Sequence, residues 1–115
     1  MDELDAAGSF EQFVLLSVVE LAEEGATPVH SYEVTGRAKD RLDSVDRDPF
    51  GGIERQEVIT ALGSLAEAGL LSKAETTSPV GKGRPAYTLA VDGDAVLGEL
   101  RGAGDVGSYA EALAD

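Results

Sequence analysis

The sequence predicts a mainly α-helical domain carrying one small β-hairpin. Three observations predict it. Apolar residues recur at three- and four-residue spacing through most of the chain, as in Val58, Ala61, Leu62 and Leu65. Only two runs read as strands, Leu70–Glu75 and Ala86–Val91, and they flank a polar tip rich in Gly, Pro, Ser and Thr. The length of 115 residues, 43% of them apolar, suits one small core.

In order, residues 1–9 read as an acidic N-terminal arm, 10–91 as the main domain, and 92–115 as C-terminal helices for dimerisation. The first helix is expected from Phe10 to about Glu24, ended by Gly25. Ser9 with Gln12 reads as its capping box. Phe13, Val14, Leu15, Leu16, Val18, Val19 and Leu21 cover more than one stripe, so this helix is buried on more than one side. In so small a domain the second side is assigned to a partner subunit. The competing reading is a central helix buried wholly inside one chain.

Thr27-Pro28 reads as the N-cap and first position of a second helix, about His30 to Leu42. Its core face is Val34, Ala38, Leu42 and Val45, and Arg37 and Arg41 share another face. Asp43 to Gly52, DSVDRDPFGG, is a polar connection. A third helix spans about residues 53–68 and stops at Gly69. Val58, Ala61, Leu62 and Leu65 lie on one of its faces, and Gln56, Thr60, Gly63 and Glu67 on the other. One face packs; the other is free to meet something.

Between the strand-like runs, Pro79, Gly81, Gly83 and Pro85 supply bends, and Lys82 and Arg84 supply charge. A helix follows Asp92-Gly93-Asp94 through Arg101, with Val96, Leu97 and Leu100 apolar. Gly102 to Gly107 reads as a hinge. Ser108 with Glu111 reads as a capping box for a last helix, Tyr109 to Leu113. A helix that short is marginal alone and must dock, and a second subunit is the surface assigned to it.

Net charge is −13 and the pI is near 4.2. Residues 37–84 carry eight of the nine basic side chains and eight acids, so that block is neutral and the flanks hold the whole excess. A neutral centre between acidic flanks is compatible with one DNA-facing side. Three lysines among many Ala, Gly, Asp and Glu fit adaptation to high salt, with bound salt ions as possible companions. Scattered charge on an ordinary acidic protein is the plainer reading.

Other chemistry finds no residues to carry it. There is no cysteine, hence no disulfide, thiolate nucleophile or cysteine–zinc site. His30 is the single histidine and reads as structural. Gly81-Lys82-Gly83 lacks the spacing of a phosphate loop. Asp43, Asp46 and Asp48 lack the glycine and terminal glutamate of a calcium loop. Neither an enzyme nor a cofactor or metal is expected. The acidic start lacks the basic region of a signal peptide, and no apolar run approaches the roughly 18 to 20 residues of a membrane span. A cytoplasmic protein is the expectation.

The segment ALGSLAEAGLL, the Gly/Lys/Arg tip and then RPAYTLAVDG resemble PadR-like winged-helix transcription regulators, and PVHSYEV is similar to the start of their second helix. The resemblance covers about residues 10–100. It implies a winged helix-turn-helix regulator of double-stranded DNA, with helix 53–68 in the major groove and a wing, 77–85, at the backbone or minor groove. On that reading Arg37 and Arg41 meet phosphate as their helix crosses the backbone, and Arg47 lies in the adjoining connection. Arg55, Gln56 and Thr60 meet base edges, since Gln suits adenine and Arg guanine. Lys82 and Arg84 clamp phosphate or enter the minor groove. It also implies a homodimer, although larger members have a C-terminal domain longer than this chain holds. The acidic composition is further similar to haloarchaeal members that act in oxidative stress. Without cysteine, and with Met1 the single methionine, such a response would reach this chain indirectly. The alternative is a winged-helix protein-interaction module that does not bind DNA directly.

Overall fold

The computed structural model describes residues 8–26, 28–41, 54–74, 86–102 and 106–114. Among them are five helices and three short strands: α1 (Ser9–Glu23), β1 (Val29–His30), α2 (Ser31–Asp40), α3 (Arg55–Glu67), β2 (Leu71–Ala74), β3 (Ala86–Leu89), α4 (Gly93–Leu100) and α5 (Gly107–Ala114). The chain is thus mainly helical with a small antiparallel sheet. No described helix is long and apolar enough to cross a membrane.

The sheet has three strands, not the two of a hairpin. Its order is β1-β3-β2. Val29 pairs with Tyr87 and His30 with Ala86, while β2 runs from Leu71 opposite Leu89 to Ala74 opposite Ala86. Two residues cannot display an alternating pattern, so β1 had no signature of its own. Pro28 precedes the strand, where its missing N–H does no harm. With β1 in place, α2 begins at Ser31, and Thr27-Pro28 does not start it. Thr27 itself lies outside the described residues, as do Leu42, Val45 and the connection through residue 53.

The starts of α1 and α2 share a device. Gly8 precedes α1 and donates its N–H to the Glu11 carboxylate at 3.2 Å; His30 precedes α2 and donates to Glu33 at 3.1 Å. In both cases the glutamate one turn inside reaches back to the cap. The expected Ser9–Gln12 box is therefore displaced by one residue. The last helix also starts earlier than expected: Ala110 N–H donates to the Val106 carbonyl at 3.1 Å, so α5 starts at Gly107 and Ser108 lies within it. Helix ends match the expectation better. Gly25 and Gly69 take φ of 75° and 84°, a region L side chains avoid. Ala26 and Leu70 N–H then bond back to the Leu21 and Leu65 carbonyls, closing both helices with Schellman turns.

The core forms around α1. Phe13, Val14, Leu15, Leu16, Val18 and Val19 are all fully buried. Val34 and Ala38 of α2 cover one side, and Val58, Ala61, Leu62 and Leu65 of α3 another. The α4 residues Val96, Leu97 and Leu100 join the same core. So do Tyr109 and Ala110 of α5, with Tyr109 packed edge-to-face on Phe13 at 5.5 Å. The apolar surface assigned to a partner subunit is thus covered within one chain, by the last helix meeting the first. The central-helix reading of α1 holds, and a dimer cannot be argued from spare apolar surface on α1 or α5.

Candidate nucleic-acid interface

Two helices carry the described candidates, and they differ in what the side chains touch. On α3 the buried stripe is the one the spacing predicts, and it turns the opposite face outward. Arg55, Gln56 and Thr60 are exposed, as is Ile59 at 40% of its surface. The Thr60 hydroxyl donates to the Gln56 carbonyl at 3.1 Å, leaving its oxygen lone pairs and methyl to solvent. Among the described residues no ion pair engages Arg55. The same helix exposes Glu54 at its cap, Glu57 and Glu67, so one cation stands among three carboxylates.

Beside this face runs an open groove of about 400 Å³. Phe10 and Glu11 of α1 form one wall, and Gln56, Glu57, Thr60 and Ser64 of α3 the other. Stepping about 100° per residue, Glu57 and Ser64 flank Gln56 on the groove side, and Arg55 and Ile59 flank it on the other. The flank that suits a phosphate-bearing partner is therefore the Arg55 side.

Arg37 lies on α2 and Arg41 caps its C-terminal end, one turn apart, but they face α1. The Arg37 guanidinium donates to both oxygens of Glu24, at 2.5 and 2.8 Å, and its Nη1 lies 3.1 Å from Glu20. Arg41 donates through Nε to both Glu20 oxygens, at 3.0 and 3.1 Å, and through Nη2 at 2.5 Å. The Tyr109 hydroxyl donates to Glu20 at 2.7 Å and lies 3.5 Å from the Ser17 hydroxyl. Burial alone would raise the Glu20 carboxyl, but the hydrogen bonds from Arg41 and Tyr109 outweigh it and hold the group below its usual range. Glu24 is lowered by its bond to Arg37. Both guanidiniums are raised, first of all by these carboxylate bonds, and burial pushes the Tyr109 phenol up. Phosphate contact by these arginines thus meets an internal competitor. The partners Glu20, Glu24 and Tyr109 were not singled out from the sequence. One signal was there: Glu20 and Glu24 stand four apart at the end of the first expected helix, matching the spacing of Arg37 and Arg41 in the second.

Arg47, Lys82 and Arg84, with the whole polar tip 75–85, lie outside the described residues. His30 stacks flat on Tyr32 at 5.7 Å, with its Nδ1 buried and without a hydrogen bond. Among the described residues no group of His, Asp and Glu is placed to hold a metal ion. In comparisons with known proteins, no family model matches the chain and no curated protein matches it.

Proposed function

We propose that the chain is a winged helix-turn-helix transcription regulator of the PadR-like kind, and that it binds duplex DNA with α3 in the major groove. The observation that carries this reading is the outward face of α3. Arg55, Gln56 and Thr60 cluster in the N-terminal half of a helix whose other face is locked into the core. The order helix, strand, helix, helix, strand, strand, with β1 joined to β3, supports it, since a winged helix is built in that order. On this reading the wing is the connection from β2 to β3, and Lys82 and Arg84 serve affinity rather than sequence choice.

Dimerisation belongs to the proposal on geometric grounds. One helix with three reading side chains distinguishes few base pairs. A two-fold pair presents two such helices to half-sites roughly 34 to 36 Å apart. The DNA-facing surface is that of a protein working in concentrated salt. Carboxylates repel phosphate over long range at low salt, whereas in molar salt the screening length is about 3 Å and contact-range attraction survives.

Selection from a random duplex pool in molar potassium chloride tests the reading. A two-fold-symmetric site should emerge. Its affinity should then fall with salt far less steeply than for a basic repressor, or even rise. A steep, monotonic loss would remove the high-salt reading, and a pool that never enriches would remove DNA binding. A second reading, a protein-interaction module, is favoured by one observation: α3 exposes three carboxylates against one cation. Recovery of a protein partner with no enriched duplex would establish it instead.

A further inference from the structure

The two carboxylates that hold the arginines of α2 are not equivalent. Glu20 is buried and fixed by Tyr109, so it has no freedom to leave Arg41, and it also lies 3.1 Å from Arg37 Nη1. Glu24 follows the last helical residue of α1, and its side chain is 48% exposed. Water and ions reach the Arg37–Glu24 pair from the Glu24 side, the Arg37 side chain itself being 20% exposed. A guanidinium gripped by both carboxylate oxygens presents the fork that a phosphate takes.

Resting on the DNA-binding reading above, we propose that Glu24 is an internal competitor for DNA phosphate at Arg37, while Glu20 keeps Arg41 as a fixed part of the fold. In the free protein Arg37 is occupied. Binding exchanges one partner for another: Arg37 passes from the Glu24 carboxylate to a backbone phosphate, and Glu24 turns to solvent. Such an exchange leaves a mark on salt dependence. A phosphate neutralised by a free arginine releases its counterion, but a released Glu24 collects a cation in return. Arg37 therefore contributes almost nothing to the salt slope while Glu24 is present. With Glu24 neutral, Arg37 keeps only its Glu20 contact and contributes a larger part of a phosphate contact, a slope of up to about 0.9.

The experiment measures binding of a short, fluorescein-labelled duplex of mixed sequence, from low to molar potassium chloride. The full-length proteins compared are wild type, Glu24→Gln, Glu23→Gln, Arg37→Gln and the Glu24→Gln/Arg37→Gln pair. Glu24→Gln should bind about three- to fivefold more tightly at fixed salt, the scale of an exposed ion pair. Its slope of log affinity against log salt should be steeper, by up to about 0.9. Glu23→Gln removes the same charge from the neighbouring residue and should change neither readout appreciably. The double variant should match Arg37→Gln alone. Equal behaviour of Glu24→Gln and Glu23→Gln, or a gain that persists without Arg37, overturns the competitor while leaving DNA binding in place. Failure of every protein to bind duplex overturns both. Binding by Glu24→Gln alone would support the competitor in its strongest form.

Discussion

At the meeting of α1, α2 and α5, charged side chains hold one another. Along the outward face of α3, they reach into solvent. Glu20 accepts from Arg41 and Tyr109 within 3.1 Å, and Glu24 grips Arg37. Arg55, by contrast, has no ion-pair partner among the described residues, and Gln56 lies exposed beside it. Both regions come from helices with a buried stripe. The difference lies in what faces the polar stripe. Where a second helix carries complementary groups at matching spacing, charge locks the fold. Where none does, the same residue types are left for a partner. Basic residues in a sequence therefore do not mark a nucleic-acid surface until the carboxylates opposite them are known.

Substitutions that separate stability from binding test this division most directly. Phe13→Ala should have the largest effect. It empties the centre of the core under Tyr109 and should cost about 3 to 5 kcal/mol of stability. Urea unfolding in molar salt measures it, and a loss below about 1 kcal/mol would deny α1 its central place.

Gln56→Ala should do the reverse. Unfolding should stay within about 0.5 kcal/mol of wild type, since the side chain is exposed. Affinity for the selected site should fall by about 1 to 3 kcal/mol. Equal losses on selected and random duplex would take sequence reading away from this residue.

Glu20→Gln should be the mildest, at about 1 to 2 kcal/mol, because its arginine partners can rehydrate once released. Its signature is pH. The folded carboxyl is held below its ordinary value, so its stabilisation is complete above the unfolded value of about 4.3 and is lost as pH falls through the folded one. Wild type should lose more stability than Glu20→Gln on acidification below about 4.3. Parallel curves for the two proteins would show that Glu20 gains nothing from its partners.

How much of this was legible depended on the range of the contacts. The buried positions of α3 were readable because a helical stripe is local, and Gly69 marked its end because a left-handed turn is a one-residue requirement. Strand β1 was not, since Val29 and His30 become a strand only through Tyr87 and Ala86 of β3. The helix starts slipped by a residue because neither Gly8 nor His30 caps with its own side chain. The circumference of α1 was legible as apolar, but its cover was not: another subunit and the chain's own last helix predict the same pattern. For the candidate site, the outward face of α3 followed from spacing alone. The diversion of Arg37 to Glu24 did not, because it joins residues on two helices.

The Tyr109 hydroxyl meets Ser17 and Glu20 across 92 and 89 residues of chain. A ribosome adds roughly 5 to 20 residues per second, so α1 is made several seconds before the helix that covers it. Through that interval its apolar circumference has only the nearer elements to pack against. The enclosure of α1 is thus complete only after α5 has been made. Closure of the core over α1 therefore waits on a single tyrosine, Tyr109.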